Sequence, residues 1–509
     1  MYARIRSGVL FGARGHGVDV EVHVANGLPA FQIVGLPDTT VRESRDRVRA
    51  AIQSTGRKFP DVRVTVNLAP SEPRKSGSGL DVAIAVGVLV ADGHIPPEAI
   101  AGLGFVGELG LDGSIRPVAG VAPIVGVLDD VDVVVPVGSE REAVVAASGR
   151  VRTVSHLVEL IDTLGFDAPW PDHPPEHDAA TLPSEPDLAD VRGQRMPRLA
   201  LELAAAGGHH LLFVGPPGSG KTMLASRLPG LLPSLERDAA LDATMVHSAA
   251  GVALPPGGLV VRPPFRCPHH TSSQASIVGG GTHTLRPGEI SIASGGVLFL
   301  DELPEFAPTV LDTLRQPLEA GVVHVARAAA STTLPARFQL VAAMNPCPCG
   351  SRGESPGACS CGADRAQRYV ARVSGPLLDR FDLRVNVEPP EVEHIMSAEP
   401  GESTAVVAER VATARDLASF RQGCLNAFLP APLLDDVAPL TTDARRDLRA
   451  ELELGRLSGR GYHRVRRLAR TVADVAGHDG AIGASHVSTA LELRRALRPA
   501  QSVGRWLAA

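Results

Sequence analysis

One run of eight residues combines glycines with a lysine and a hydroxyl group at a spacing that suits phosphate binding. The run consists of Gly215, Pro216, Pro217, Gly218, Ser219, Gly220, Lys221 and Thr222, and it matches the pattern G-x-x-x-x-G-K-[ST]. Glycine conformations let backbone N–H groups surround phosphate oxygens, Lys221 can pair with the β- and γ-phosphates, and Thr222 can ligate Mg²⁺. We therefore predict that ATP and Mg²⁺ bind here.

Two carboxylates follow an apolar run downstream of this loop. Val297–Leu300 is typical of a buried strand, and Asp301 and Glu302 come directly after it. Behind a complete phosphate loop, we predict that Asp301 holds Mg²⁺ through water and that Glu302 orients and polarises the attacking water. Asn345 ends the next apolar run, and we predict that its amide contacts the γ-phosphate or that water. An ordinary turn residue before Pro346 is the alternative.

An arginine further along has two interpretations from its position alone. Arg380 lies in the segment Ser374–Asp382. Its side chain can form a surface ion pair, or it can enter a neighbouring subunit's ATP site and neutralise charge in the transition state. Sequence position does not choose between these roles.

Four of the six cysteines form two C-x-C pairs. They are Cys347, Cys349, Cys359 and Cys361. Four thiolates brought together suit tetrahedral Zn²⁺, so we predict a structural zinc site, although zinc knuckles more often use C-x₂-C spacing. Cysteines that stay reduced and free, or that pair under oxidation, are the alternatives. Cys267 precedes His269 and His270, but without a second ligand pair this segment is interpreted as a packed insert and not as a metal site.

Short apolar runs separated by helical segments must position these residues. Leu211–Val214 precedes the phosphate loop, and Phe338–Ala343 precedes Asn345. Such runs are typical of buried parallel strands, so we predict a doubly wound α/β core. After about Pro430 the pattern becomes helical. The predicted helices there are Thr441–Leu454, Tyr462–Val475 and Ala484–Leu497.

The first part of the chain has a separate α+β pattern. Val18–Val24 and Val62–Asn67 alternate like strands, Asp38–Ser54 is an arginine-rich amphipathic helix, and Asp81–Leu89 is an apolar helix or a buried strand. We therefore divide the chain into residues 1–165, a Pro-rich acidic linker over 166–190, a nucleotide-binding core over 191–390 with the cysteine loop at 347–361, and a helical region over 391–509.

The composition and charge of the chain limit the classes of protein to which it can belong. The 50 basic and 56 acidic residues give a net charge of -6, so global charge does not indicate a nucleic-acid partner, although a basic track remains compatible with it. We find no secretory signal and no apolar run approaching the ~20 residues that span a bilayer. Six cysteines in 509 residues do not make a disulfide scaffold. We expect a cytoplasmic protein without a membrane partner.

The ordered motifs resemble a known family. They are the phosphate loop, Pro264–Thr271, Pro287–Ser291, Gly296–Leu303, Leu314–Glu319, Asn345–Gly350 and Ser374–Leu383. Through them, residues 191–505 resemble the magnesium-chelatase-like AAA+ ATPases, and more narrowly the YifB/ComM family of bacterial competence-associated proteins. The resemblance implies an AAA+ P-loop core with a helical C-terminal lid, assembled as a homo-hexameric ring. It also implies that Arg380 acts in trans and that Arg460 is the lid sensor, with Arg464 and Arg467 as competitors.

The N-terminal 165 residues resemble the proteolytic domain of Lon proteases, which has an S5-like α+β fold. The resemblance rests on Arg74–Asp81 and Gly113–Ala122. By this alignment Gly79 stands in the place of the serine nucleophile and Ala122 in the place of the lysine base. Because a Ser–Lys mechanism needs both groups, we predict a catalytically inactive domain reused for assembly or partner binding.

Two further features bear on what such a motor acts upon. Val322–Pro335 is predicted to form a hairpin, and related AAA+ rings place such hairpins in the central pore. Arg327 near its tip is a candidate grip for a phosphate backbone, with a surface arginine as the alternative. A run of arginines in the lid is interpreted as a solvated face that can also turn towards DNA or a neighbour. These are Arg456, Arg460, Arg464, Arg466, Arg467 and Arg470.

The leading hypothesis is an ATP-hydrolysing motor that remodels single-stranded or branched DNA, as a helicase or branch-migration enzyme in recombination or natural transformation. Recombination proteins would be further partners. Aromatic residues make up only 4% of the chain, so backbone tracking is favoured over base readout. The alternatives are a magnesium-chelatase-type metal-insertion motor subunit and a protein-remodelling unfoldase.

Overall fold

The computed structural model describes residues 1–72, 75–173, 185–281, 285–327, 330–351, 359–389 and 400–495. The strands are β1 (Tyr2–Phe11), β2 (Arg14–Ala25), β3 (Ala30–Val34), β4 (Arg63–Ala69), β5 (Leu103–Phe105), β6 (Glu108–Leu109), β7 (Ile115–Arg116), β8 (Asp132–Pro136), β9 (Val151–Val154), β10 (Leu211–Val214), β11 (Phe265–Arg266), β12 (Gly279–Gly280), β13 (Arg286–Pro287), β14 (Val297–Leu300), β15 (Val322–Arg327), β16 (Ala330–Pro335), β17 (Gln339–Met344) and β18 (Leu383–Asn386).

The α-helices are α1 (Thr39–Ser54), α2 (Asp81–Ala91), α3 (Val121–Val125), α4 (Glu140–Ala146), α5 (Leu157–Phe166), α6 (Arg195–Gly207), α7 (Lys221–Ala225), α8 (Leu228–Leu231), α9 (Arg237–Ala250), α10 (Gln274–Val278), α11 (Glu289–Ile292), α12 (Pro308–Thr313), α13 (Arg315–Ala320), α14 (Ala363–Val370), α15 (Gly375–Leu378), α16 (Thr404–Gln422), α17 (Leu434–Val437), α18 (Thr442–Glu453), α19 (Gly459–Val475) and α20 (Ala484–Arg495).

The N-terminal region is a mixed seven-stranded sheet in the order β3-β4-β2-β1-β5-β8-β9. Helix α1 begins where the Asp38 carboxylate accepts a hydrogen bond from the Val41 N–H at 2.8 Å, which satisfies one of the unpaired donors of the first turn. Helix α2 is buried on every side, so its sequence is apolar throughout and lacks amphipathic periodicity. The predicted choice between helix and strand over Asp81–Leu89 is therefore resolved as a helix.

The nucleotide-binding region is a parallel five-stranded sheet in the order β11-β14-β17-β10-β18. All four residues of β10 and of β14 are buried, as are all six of β17. Helices cover the sheet, and the apolar side chains form two buried clusters. This confirms the predicted α/β class and its parallel sheet.

Helices α16 to α20 lie within the region predicted to be helical, 391–509, and the first of them precedes Pro430, after which the helical pattern was expected to begin. Helix α16, at Thr404–Gln422, precedes Pro430, and its Ser403 side chain accepts a hydrogen bond from Val406 N–H at 3.5 Å. Its inward-facing residues Val407 and Val411 belong to the same buried cluster as the β10 strand. Val407 and Val411 are four residues apart, as on one face of a helix. The segment around them has no long apolar run, so this helix was not among those named from the sequence.

Two arginines predicted to lie on a solvated or DNA-facing surface are buried instead. Arg466 donates to the carbonyl oxygens of Leu434 at 2.7 Å and Ala438 at 2.9 Å, and Arg470 Nε donates to Asp474 Oδ1 at 3.0 Å. Helix ends leave carbonyl groups without partners inside the helix, and guanidinium groups can satisfy several of them at once. Arg466 and Arg470 of α19 therefore help to hold the helical region together.

The predicted linker is only partly separate from the core. Leu188 is buried in the cluster that includes α6 and β10, and Arg227 Nη2 pairs with the Asp190 carboxylate at 2.9 Å. Residues 174–184 of the linker lie outside the described part of the chain. The last residues assigned to the linker thus pack as part of the nucleotide-binding region.

The N-terminal sheet docks directly on the nucleotide-binding region. Gly120 N–H donates to the Ser248 carbonyl at 3.0 Å, and Ala13 in the β1–β2 turn is buried in the same cluster as Leu334 of β16. A Cβ added at Gly12 would lie 2.9 Å from Thr332 Cγ2, so the turn and the hairpin are in close contact.

Within the described residues, none of the helices has the length and apolar character needed to cross a membrane.

Candidate nucleotide site and thiol cluster

Three parallel strands end at one edge of the central sheet and bring the predicted site residues together. Val214 of β10 pairs with Met344 of β17, and Leu300 of β14 pairs with Ala342 of the same strand. The phosphate loop, the Asp301–Glu302 pair and Asn345 each follow one of these strand ends. Ligands of open α/β sheets bind at this carboxyl edge.

Contacts within this edge link the phosphate loop to the acidic strand and to the asparagine. Thr222 Oγ1 donates to Asp301 Oδ2 at 2.6 Å, and Lys221 Nζ donates to Asn345 Oδ1 at 3.2 Å. Lys221 also donates to the carbonyl oxygens of Gly215 at 2.8 Å and Pro216 at 2.6 Å. Burial lowers the pKa of Lys221. Its ammonium group is therefore folded back onto its own loop. It also contacts Asn345, which is predicted to bind the same triphosphate.

The loop itself has the shape of a phosphate cradle. Gly218 and Gly220 have φ angles of 76° and 92°, in the left-handed region that favours glycine. A Cβ at Gly218 would meet no atom within 4 Å, so the loop is open on that side. Ser219 Oγ is buried and has no hydrogen-bond partner among the described residues. These features fit a triphosphate that would occupy the open side.

Glu302 has a conformation that the sequence did not reveal. Its φ angle of 51° lies in the left-handed region, which is uncommon for a residue with a side chain and is associated with functional sites. Its N–H donates to Asp301 Oδ1 at 2.9 Å. His270 Nδ1 lies 3.1 Å from Glu302 Oε2. The histidine segment interpreted as a packed insert therefore contacts the predicted catalytic carboxylate.

The four clustered cysteines converge beside the phosphate loop. Their Sγ atoms all lie within 4.8 Å of one another, and the separations from Cys347 to Cys349 and Cys359 are 3.4 and 3.7 Å. Tetrahedral zinc with Zn–S bonds of about 2.3 Å places its sulfur atoms about 3.8 Å apart. The donor set and its spacing therefore fit zinc, and the cluster brings together the residues predicted to bind it.

This thiol cluster is tied to the nucleotide site by the chain itself. Cys347 is buried two residues after Asn345, and a Cβ added at Gly350 would overlap the Pro217 ring of the phosphate loop. A backbone hydrogen bond with Ser351 and the neighbouring thiols lower the pKa of Cys349 to about 6. A lowered pKa favours the thiolate form, which is the form that ligates metals.

Arg380 pairs with Glu319 on α13. Its Nε is buried without a hydrogen bond to the described residues. Arg464 Nη1 donates to the Arg380 carbonyl at 2.9 Å and to Asp382 Oδ1 at 2.6 Å. The segment that carries Arg380 is thus fixed to helix α19.

A buried network extends from this segment. His209 Nδ1 lies 3.2 Å from Asp382 Oδ2, and His209 Nε2 lies 2.8 Å from Thr471 Oγ1. Burial raises the pKa of Asp382, but the His209 hydrogen bond and the Arg464 charge outweigh it and lower that pKa well below its usual range. Asp382 therefore joins the nucleotide-binding region to helix α19 as a charged group.

The three candidate lid arginines have different surroundings. Arg464 pairs with Asp382, and Arg467 Nε donates to the Leu429 carbonyl at 2.8 Å. Arg460 is exposed in the first turn of α19 and makes no side-chain hydrogen bond or ion pair with the part of the chain that is described. The backbone of Arg327 ends strand β15, opposite Ala330, and its side chain lies outside the described atoms.

Three family descriptions match successive parts of the chain. Residues 20–138 match subunit ChlI of Mg-chelatase, residues 187–395 match magnesium chelatase, subunit ChlI, and residues 401–494 match the C-terminal part of magnesium chelatase subunit ChlI. The three matches cover most of the N-terminal sheet, the central parallel sheet and the helical region.

Individual proteins are similar over nearly the whole length. The protein YifB of Escherichia coli (strain K12) is 40% identical over 480 residues, which are 94% of each chain. The competence protein ComM of Haemophilus influenzae is 40% identical over 493 residues, or 96% of each chain. A probable DNA helicase, MCM9 of Arabidopsis thaliana, is 24% identical over 195 residues, which are 38% of this chain and 25% of that protein.

Proposed function

Because this chain belongs to the YifB/ComM family of magnesium-chelatase-like AAA+ ATPases, we propose that it is a hexameric motor that uses ATP hydrolysis to remodel DNA. The observation that carries the ATPase proposal is the meeting of Lys221, Thr222, Asp301 and Asn345 at one sheet edge. The proposal that DNA is the substrate is supported by the names of two relatives, a competence protein and a probable DNA helicase.

Each residue of the sheet edge has a role in hydrolysis. The loop N–H groups and Lys221 bind the phosphates, while Thr222 and Asp301 would hold Mg²⁺, which would neutralise phosphate charge. Glu302 orients a water and takes up its proton as the water oxygen attacks the γ-phosphorus; the bond to the bridging oxygen breaks and ADP leaves. Asn345 hydrogen-bonds the γ-phosphate or the water.

A ring would complete the site with residues that one chain does not bring to its own P-loop. Arg380 is paired with Glu319 and is held in place through Arg464. In this proposal the guanidinium leaves Glu319 when the ring assembles and enters the neighbouring subunit's site. Exposed Arg460, at the start of α19, would contact the nucleotide of its own chain when the lid closes. Six such interfaces would make the hexamer the unit of activity.

The DNA path would pass the β15–β16 hairpin. Val323, Val325 and Leu334 anchor the base of this hairpin in the core, and β16 leads into β17, whose last residue directly precedes Asn345. A nucleotide-dependent shift at Asn345 would therefore reach the hairpin through a few residues of strand. Arg327, at the end of β15, would grip the phosphate backbone in this proposal.

The remaining two regions would have structural roles. The N-terminal domain would be a Lon-like fold without protease chemistry, since Gly79 and Ala122 replace the groups of a Ser–Lys pair. Because its β1–β2 turn packs against the β15–β16 hairpin, this domain would support the motor. Zinc bound by the four cysteines would stiffen the loop over 347–361, which follows Asn345 and packs against the phosphate loop.

The rate of ATP hydrolysis with and without DNA tests this function. Single-stranded, duplex and forked DNA are compared at fixed salt, because phosphate contacts make DNA binding strongly salt-dependent. We expect at least one DNA form to raise the rate. A rate that ignores every form would instead favour the metal-insertion motor or the protein unfoldase.

A further inference from the structure

One edge of the N-terminal sheet is open. Strand β3 stands at the end of the strand order and pairs only with β4 among the described strands. The Ala30 N–H donates to the Val62 carbonyl on the β4 side, at 3.4 Å. Because successive residues of a strand direct their N–H and C=O groups to opposite sides, those of Phe31 and Ile33 point away from β4. The free side of β3 therefore offers donors and acceptors to a further strand.

This edge lacks the features that usually protect a sheet edge. Edge strands are commonly blocked by charged side chains or proline, and Ala30–Val34 contains neither. Three large apolar side chains in and beside the strand are exposed: Leu28 by 89%, Val34 by 44% and Leu36 by 55%. Strand β9, at the opposite end of the sheet, carries Arg152, whose guanidinium lies 5.3 Å from the centre of the Trp170 ring. The open strand is thus β3.

Helix α1 places arginines along the same edge. It packs on β3, whereas α2 packs on β1 and β2. Arg47 of α1 donates to Asp81 of α2 at 2.6 Å, so this flank of α1 faces the middle of the sheet and the other flank lies along the free edge. That other flank carries three exposed arginines at helical spacing: Arg42, Arg45 and Arg49. The Arg49 guanidinium lies 5.7 Å from the centre of the Phe59 ring, which packs against the Phe31 ring of β3 at 5.1 Å.

The charges beside the edge are mainly positive. Arg45 donates to the neighbouring Asp46 at 3.2 Å, but the other two arginines of the row form no ion pair with the described residues. The exposed Glu43 lies four residues before Arg47, on the flank that faces α2. The chain leading into β4 adds two exposed basic residues and one exposed acidic residue: Lys58, Arg63 and Asp61. The edge is therefore apolar along the strand and basic beside it.

We propose that β3 accepts an extended acidic peptide of a partner protein as an additional strand. Side chains of such a peptide would alternate between the α1 side, where they meet Arg42 and Arg49, and the other side, where they meet Val34. A peptide in which acidic and apolar residues alternate therefore fits, and the five residues of β3 match a segment about 17 Å long. A nucleic acid would satisfy the arginines but not the backbone groups of the edge. This site goes beyond the proposed motor function and requires no ATP.

Fluorescence anisotropy with the full-length protein, without ATP, tests the pairing. The probe is a labelled peptide of about eight residues in which Asp and Val alternate. Two further versions carry N-methyl groups either on every Asp or on every Val. All N–H groups of one residue type point to the same side of an extended peptide, so only one version loses its bonds to β3. We expect that version to bind roughly tenfold more weakly than the other.

Charge reversal tests the arginine row. The double variant Arg42→Glu with Arg49→Glu should raise the Kd for the Asp–Val peptide roughly tenfold or more, because attraction is replaced by repulsion. Arg150→Glu is the matched control, since Arg150 is equally exposed but directly precedes β9 at the opposite edge. It should bind as the wild type does. A peptide that alternates Lys with Val should not bind.

Equal Kd values for the two N-methylated peptides would overturn the proposal, and this comparison uses the wild type, so it holds even if a variant does not fold. An unchanged Kd in the double variant would also overturn it. Binding of a single-stranded oligonucleotide that the double variant loses, without peptide binding, would assign the surface to nucleic acid. An altered assembly of the double variant in light scattering would assign the edge to a contact between copies of this chain, which likewise contradicts the proposal. A protein that binds the peptide but whose ATPase ignores DNA would refute only the proposed function.

Discussion

Lys221 and Glu302 lie at the same sheet edge, but their loss should have different consequences. Lys221 is buried against the loop and supplies the positive charge for the phosphates. Lys221→Ala should therefore abolish nucleotide binding. Glu302→Gln should bind ATP and hydrolyse it about 10²–10⁴-fold more slowly, since only proton transfer is affected. Fluorescent-nucleotide binding and phosphate release separate the two effects.

The exposed residue Met223, on the same short helix as Lys221, supplies the control. Met223→Ala should bind and hydrolyse ATP as the wild type does. Near-normal turnover by purified Lys221→Ala would refute the assignment of the phosphate loop, and normal turnover by Glu302→Gln would refute the role of the carboxylate.

The burial of His210 leads us to expect that the stability of the protein depends on pH. It is buried, its Nδ1 accepts a hydrogen bond from Leu340 N–H at 3.0 Å, and burial lowers its pKa to about 4. An unfolded histidine has a pKa of about 6.5, so the unfolded chain binds more protons than the folded chain between these two values. The contribution of His210 to the free energy of unfolding is therefore fully present above a pH of about 6.5. It is lost as the pH falls towards the folded pKa of about 4, by up to about 3 kcal/mol.

The apparent Tm, measured between pH 7 and pH 5, checks this. The wild type should lose Tm over this range, and His210→Asn, which can keep an acceptor for Leu340 but does not titrate, should lose less. The depressed pKa of Asp382 acts in the same direction at lower pH, where protonation removes the partner of Arg464. Parallel Tm curves for the wild type and His210→Asn would contradict this account of His210.

At the residue scale, the sequence predicted most of the nucleotide edge but not His270. The phosphate loop, the acid pair and Asn345 each follow a strand, and parallel strands end at a common edge, so their meeting was predictable. His270 reaches Glu302 from the neighbouring strand β11, which is only two residues long. Two adjacent histidines after that strand were the available signal, but periodicity does not reveal such a contact.

Among the elements, the cysteine loop offers a test that joins metal to catalysis. Protein kept reduced should contain about one zinc per chain. Cys347→Ser should lose this metal, and because Cys347 is buried two residues after Asn345, the ATPase rate should fall with it. Metal analysis and phosphate release on the same preparation measure both effects.

Cys424→Ser is the matched control, because Cys424 is a half-buried free cysteine outside the cluster. It should keep both zinc and activity. Wild-type protein without zinc would remove the metal proposal, and a Cys347→Ser protein that loses zinc but keeps its full ATPase rate would disconnect the loop from the nucleotide site.

Helix α19 shows where sequence patterns stop being informative. A run of arginines at helical spacing is typical of a solvated face, yet Arg466 and Arg470 are buried. Their partners are carbonyl groups of α17 and its end, and a carboxylate and loop carbonyls near the end of α19 itself. Whether an arginine faces water or caps a helix end depends on tertiary packing, which these local patterns do not specify.

Across the whole molecule, the order of the regions was predictable and their docking was not. The predicted boundaries depended on the acidic Pro-rich segment and the shift to a helical pattern, yet Leu188 of the predicted linker packs in the core of the nucleotide-binding region. The contact of the β1–β2 turn with the β15–β16 hairpin joins residues that are far apart in the sequence, near Gly12 and Thr332. No local pattern carries that information, because Gly12 and Ala13 read as an ordinary turn.

Mixing two inactive variants tests the ring. Arg380→Ala alone should bind ATP but hydrolyse it roughly 10³–10⁵-fold more slowly, the effect of losing an arginine finger. Co-expression with Lys221→Ala should recover activity, because some interfaces then pair an intact Lys221 with an intact Arg380. Phosphate release from the mixed assembly measures this. No recovery across a range of mixing ratios would place Arg380 in the site of its own chain.

The central claim is that ATP hydrolysis by this chain moves DNA, and movement of a fluorescently labelled four-way junction tests it most directly. The wild type should resolve the junction into forked products with ATP, and not with a non-hydrolysable analogue. Glu302→Gln, which should still bind ATP, should leave the junction intact. A wild-type protein that hydrolyses ATP at the same rate with and without the junction, and leaves it unmoved, would contradict the claim.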